Sequence, residues 1–545
     1  MVDHIEVLRG QGSVLWGSDA IGGAINVVTR GADPTRRFHG GYRGLEFHEY
    51  YNTADSSSYS RLNVEGWADR IGYWGGGAYS NVNDLDTGWP FGRQPGTHYQ
   101  QYAGDIKLNY LLGCNQMLTF ALQHNVQQNL PRSDRFPGFP GDLNNSNSSA
   151  GARFFDPQQR DLAYLRYQAL EPFALSDALT FTASYHRQRE VQSRIYRVPP
   201  RFQETDVEST GLNLVSSKEL GSLGRIVTGA DWYHDDVDSA AENGSIIIPD
   251  DAYYERIGVF TQWNVDLTDR LGATAGVRYE NIQTAATPLI DDGTGTQVPT
   301  PFNLNFNDWI GSVGLVYEIN PCVNAVGSIS EGFRAPNLDE LAANNPNVLQ
   351  MGMSLPQLNL VPENSVTYEV GLKTNYEDVR TQTFVFWTDL GDNIVAAPTP
   401  TPNSFGRANQ DSFVQGVEFD GEYLLDRGWS LYGNFWYVHG INRVTNSPLS
   451  RVPPAQGIAG LRWRDPNGPG YFSVYTWLVR RQDRLEQVRD ITDERIPPGG
   501  TPGYATLNMR MGRAFGCDDQ HRLSLGLENI TDKAYLVHGS GVFGT

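Results

Sequence analysis

Period-two alternation of apolar and polar side chains recurs along most of this chain and constrains its fold more than any other feature. Ile257, Val259, Thr261, Trp263, Val265 and Leu267 present one largely apolar face, with Gly258, Gln262, Asn264 and Asp266 opposite. The next segment repeats the pattern, setting Leu271, Ala273, Ala275, Val277 and Tyr279 against Gly272, Thr274, Gly276, Arg278 and Glu280. The same period fits 366–374, 379–387, 417–423, 429–437 and 523–527. Such runs are strands with one greasy and one wet face. A soluble sandwich buries the greasy face against a second sheet, whereas a membrane barrel turns it to lipid. Connector lengths separate the two. Short links at 69–71, 112–115, 266–270, 320–322, 376–378 and 425–428 alternate with long polar ones at 129–160, 284–303, 334–364, 392–408 and 481–502. Short turns on one rim and long loops on the other are the pattern of an all-β, transmembrane antiparallel β-barrel with strands of about 10 residues.

The composition fits that wall. Only alternate residues meet lipid and the loops are polar, so a mean hydropathy of −0.43 is no obstacle. No stretch approaches the ~18 apolar residues of a transmembrane helix. Aromatic residues make up 12% of the chain, and Trp67, Tyr73, Trp74, Trp309, Trp429, Trp436, Tyr471 and Trp477 fall near strand ends, where an interfacial girdle forms. The net charge of −20 excludes nucleic acid as a partner, because phosphate binding needs clustered Lys and Arg. Cys114, Cys322 and Cys517 all fall in short turns of one rim, too far apart around it for any disulfide.

Counting along 37–545 gives about 21 strands, an odd number, where bacterial single-chain barrels have even ones. The expectation is a barrel domain over 37–545 that lacks the last of 22 strands. Residues 1–36 differ in kind. Ile5–Gly10 reads as a strand, 18–23 as a small turn or helix, and 22–30 as a returning strand, with Gly10, Gly12, Gly17, Gly22 and Gly23 demanding tight backbone geometry.

The Gly17-Ser18-Asp19-Ala20-Ile21-Gly22-Gly23 run, continued through Asn26, resembles the end of the plug domain of TonB-dependent outer-membrane receptors. Gln11 departs from the proline common after that family's Arg-Gly pair. Three further stretches carry the resemblance through the chain: 332–338, with Phe333, Arg334, Pro336 and Asn337, leading into a large outward loop; 359–363, starting at Asn359, leaving it; and 527–533, before the last hairpin. The resemblance implies an outer-membrane receptor that binds a scarce solute at outward loops and imports it with TonB-derived energy. A ferric siderophore or similar metal chelate is the family default, with cobalamin and haem as alternatives. The different-class rival is a passive porin or adhesin-like barrel, which has no reason to carry the segment 5–30.

The family holds its plug through plug arginines facing barrel glutamates. Arg9 matches the plug position, and Glu369 and Glu418 match the barrel positions. Alternation agrees independently, since Tyr368, Val370, Val417 and Phe419 take the lipid face and leave both glutamates inside. Arg132, Arg135, Arg334 and Arg407 are outward-loop cations suited to an anionic chelate. Haem has less support: between Pro336 and Asn359 there is no His, and Met351 and Met353 are the only soft ligands. Asp235, Asp236 and Asp238 form an acidic run read as an outward loop, where Ca²⁺ is the one cofactor weighed and a solvated loop is favoured, for want of EF-hand spacing. No His-Glu-x-x-His pair or clustered nucleophile and base supports an enzyme. The family's plug runs to a hundred residues or more, including a TonB-contacting segment, so 1–36 is expected to be its C-terminal remnant with a linker. The chain is thus expected to be a monomer in outer-membrane lipid, cut at both ends.

Overall fold

The computed structural model describes residues 2–10, 12–35, 41–88, 92–94, 96–132, 153–194, 200–242, 247–291, 296–343, 353–398, 404–487, 489–491, 493, 495–540 and 543–544. Among the described residues one sheet of 24 strands dominates; setting aside the two-residue strands Leu130–Pro131, Met353–Ser354 and Ser447–Pro448 leaves 21 long ones. Each long strand pairs antiparallel with the next long strand in sequence, from Tyr42–Asn52 with Ser57–Ala68 to Tyr504–Phe515 with His521–Leu527. Among the described residues no pairing joins the first long strand to the last, so the sheet is not closed.

Alternation sorts the side chains as the period-two pattern requires. Leu45, Val259, Val313, Val370, Val385 and Leu525 are exposed on the outer face, an apolar row that lipid covers. Trp309 stands in this row, whereas Trp67 and Trp74 are buried on the inner face, so those two are not girdle residues. Strand length departs from the expected ~10 residues. Arg153–Phe173 and Ser404–Leu424 have 21 residues each, and Phe302–Asn320 has 19. At ~3.4 Å per residue, strands of this length far exceed a ~25 Å apolar band. Parts of 129–160 and 392–408 that read as loop therefore belong to strands. Their polar composition reflects water around them, because ladder hydrogen bonds form regardless of what the side chains face.

The N-terminal segment forms a separate two-stranded sheet of β1 (Val2–Arg9) and β2 (Gly23–Thr29), joined through the helical turn α1 (Ser13–Trp16). Residues 18–22 form the turn read there; the helical turn α1 lies just before it and ends where Gly17, at φ +86°, sets its amide on the Ser13 carbonyl. This segment touches strands scattered around the sheet, among them Tyr42–Asn52, Tyr99–Leu111, Leu271–Ala286 and Ser404–Leu424. The sheet therefore wraps around it. The main apolar core lies between the two, where Val14 of α1 packs with Ile282, Ile310, Phe333 and Ala335 of the inner wall. Cys114, Cys322 and Cys517 are free thiols.

Candidate functional site

Three contacts hold the N-terminal segment to the wall. The deepest is built across three neighbouring strands, Arg225–Glu242, Ala252–Thr268 and Leu271–Ala286. Asp231 lies in register with Gly258, and Gly258 with Glu280. With no side chain on Gly258, the Arg278 guanidinium lies over the middle strand; a Cβ at 258 would overlap it. Arg278 donates to both Asp231 oxygens, at 2.9 and 2.8 Å, and through Nε to Glu280. Arg278 is 1% and Glu280 0% exposed. The end of α1 rests on this triad: Ser18 N–H donates to Glu280 Oε1 at 3.3 Å, and a Cβ on Gly17 would stand 3.1 Å from Arg278 Nη2. Next to it, the Asp19 amide donates to the Phe333 carbonyl at 3.3 Å.

The second contact is Arg9 with Glu418, Nη1 to Oε2 at 3.4 Å, with the Arg9 side chain 54% exposed. Glu369 lies close by, facing Gly10, and shares with Arg9 a cavity of about 280 Å³ of mixed lining that also meets Leu8, Val14, Gln262 and Thr367. Gly10, Gly22 and Gly23 stand at the closed end of the β1–β2 hairpin, and Asn26 donates to Glu6 at 2.7 Å. The third contact ties the far end of β2: Lys107 Nζ donates to the Thr29 carbonyl at 2.8 Å, and Arg30 pairs with Glu46 at 2.7 Å.

At the outward mouth, strand Val323–Arg334 leads into helix α2 (Leu338–Ala342). Asn337 is its N-cap, accepting from the Glu340 amide while Glu340 accepts from the Asn337 amide. Arg334 forks onto both Glu340 oxygens, at 2.9 and 3.0 Å, and donates to Glu363 at 2.6 Å. Phe333 and Pro336 are buried. The 332–338 motif thus builds the mouth, with its arginine already committed to two carboxylates. Arg407 reaches Asp339 at 3.4 Å, and Asn359 is exposed. Arg132 lies at the edge of the described region, its amide on the Arg153 carbonyl. Arg135 and Met351 lie outside the described residues.

The outward segment 450–496 brings in groups that the motifs did not mark. Arg451 and Arg495 pair with Asp493, each at 2.8 Å, and Asp490 accepts from Ser450 and from the Arg451 and Glu486 amides. Burial, followed by the guanidiniums of Arg451 and Arg407, pushes Arg489 below its ordinary pKa. Three arginines from separate stretches therefore crowd one part of the mouth. Asp235, Asp236 and Asp238 lie within strand Arg225–Glu242 rather than a loop. Alternation sends Asp235 to one face and Asp236 and Asp238 to the other, so the three carboxylates do not converge. Among the described residues no group of three His, Cys, Asp or Glu is placed to hold a metal ion.

Residues 9–530 match the family described as TonB dependent receptor-like, beta-barrel. The ferric enterobactin receptor of Pseudomonas aeruginosa is 20% identical over 630 residues, covering 100% of this chain and 77% of that protein. The heme/hemopexin utilization protein C of Haemophilus influenzae is 20% identical over 622 residues, covering 99% and 82%. Among solved structures, the copper transporter OprC superposes with a TM-score of 0.82 at 15% identity, covering 98% of this chain and 80% of that one. Three differently named cargoes on one architecture mean that the wall does not set the ligand. The chain belongs to the TonB-dependent receptors, transporters of the outer membrane and not enzymes.

Proposed function

We propose that this receptor takes up a ferric siderophore or comparable anionic metal chelate at its outward mouth and imports it with energy delivered through TonB. The observation that carries the ligand class is the gathering of Arg407, Arg451 and Arg489 at the mouth, where burial first, and then the guanidiniums of Arg451 and Arg407, lower the Arg489 pKa against the opposing pull of Asp493 and Asp490. Like charges held together under partial burial are relieved by an anion. The segment 1–36 acts as the end of the plug, and Arg9 with Glu418 and Glu369 acts as a latch that opens when the plug is pulled. The three contacts that bind this segment inside the wall support that role over a passive porin.

The test is a binding panel on the detergent-purified chain: ferric catecholate, ferric hydroxamate, haem and cobalamin, read by quenching of Trp fluorescence. A ferric chelate should bind, and the double variant Arg407→Ala/Arg489→Ala should weaken it at least about tenfold, the scale of one charge-assisted hydrogen bond. Binding of cobalamin alone, or chelate binding that ignores both arginines, would overturn the reading.

A further inference from the structure

We infer that the Asp231–Arg278–Glu280 triad is a fixed seat for residues 12–20, which stays engaged while the β1–β2 hairpin is the part that moves. The inference rests on the plug reading above and adds to it where the motion begins.

Charge is the first ground. One guanidinium faces two carboxylates, so the triad carries an excess negative charge in a buried place. Glu280 is fully buried, and the N-terminal segment supplies a donor to it, the Ser18 amide. Lifting 12–20 away strips that carboxylate of a hydrogen bond made in low dielectric, where such bonds matter most.

Packing is the second. Ser13, Val14, Gly17 and Ser18 are all buried, and Val14 belongs to the wall's own apolar core. Gly17 combines a positive φ with close approach to Arg278 and Glu280, so the backbone itself, not a flexible side chain, sits on the triad. Strand β1 is the reverse: all eight of its residues are exposed and its Arg9–Glu418 pair is solvated, while β2 is half-buried and tied at its far end by Lys107. A pull on the hairpin therefore loosens Arg9 from Glu418 before it disturbs 12–20.

Amide hydrogen exchange on the full chain in detergent, without ligand or energy source, tests this apart from transport; failure to carry a chelate leaves the exchange result unaffected. Residues 12–20 should exchange more slowly than 2–9. Glu280→Gln should speed exchange in 12–20 by about tenfold, the equivalent of one hydrogen bond to a charged acceptor. Ser18→Pro removes the donor without touching the wall and should do the same, which guards against misfolding of the barrel variant. Glu418→Gln should speed 2–9 and leave 12–20 unchanged. The seat is refuted if 12–20 keeps its parent rate in both Glu280→Gln and Ser18→Pro, or if Glu418→Gln loosens 12–20 equally.

Discussion

The two acidic contacts of the N-terminal segment, one at Glu418 and one at Glu280, look alike on paper and differ in surroundings. Arg9 meets Glu418 with 54% of its side chain in water and a cavity beside it. At Glu280 the partners are buried, the donor from the segment is a backbone amide, and an apolar core adjoins. The first is a solvated pair of the kind that contributes ~0–1 kcal/mol. Losing the second takes one hydrogen bond from a buried carboxylate that Arg278 still holds, which costs ~1.5–3 kcal/mol. Inside a wet lumen, the strength of a tether follows how much water it excludes rather than how many charges it joins.

Four substitutions put this contrast under strain, from the largest expected effect to the smallest. Arg278→Met strands Asp231 and Glu280 together and should destabilise the folded barrel by ~3–5 kcal/mol, read as a lower thermal midpoint in detergent. Gly258→Val fills the gap that the guanidinium occupies and should cost ~1–3 kcal/mol, or more if Arg278 is expelled. Its signature is faster exchange at 12–20 as well as a lower midpoint. Asn337→Ala removes the cap of α2 and should cost about 1 kcal/mol, with exchange rising at 338–342 while 12–20 stays as it was. Arg9→Ala should change the midpoint by less than ~1 kcal/mol, and the small effect should shrink further in 1 M salt, where the Debye length is ~3 Å. An Arg9→Ala loss as large as that of Arg278→Met would erase the distinction.

Much of the wall was legible because its rule is local. Alternation places Glu369 and Glu418 inside without knowledge of any partner strand, and it places Arg278 and Glu280 there as well. What alternation cannot supply is which polar residues meet across strands. Asp231, Gly258 and Glu280 form one row only once the registers of three strands are known, and Gly258 looks like any other strand glycine until Arg278 is seen lying over it. An Arg two residues from a Glu on the wet face, with a glycine on the strand before, is the only trace of the seat in the sequence, and no motif drew it out. Strand ends were misread for a related reason: above the apolar band both faces meet water, so composition ceases to separate strand from loop. In the motif at 332–338, Arg334 and Asn337 are engaged by Glu340 and Glu363, which lie beyond it. A sequence motif records that residues matter without saying whether they touch ligand or hold its platform.

Nearest-neighbour pairing of the long strands has a consequence for how the molecule comes together. Each strand finds its partner one connector away, so the wall can grow hairpin by hairpin, with closures no longer than its outward loops. The N-terminal segment is the exception. Arg9 is 409 residues from Glu418 and Ser18 is 262 from Glu280. These closures can form only after most of the chain has been made. Arg9 and Ser18, made long before their partners, thus wait for a wall that curls around them.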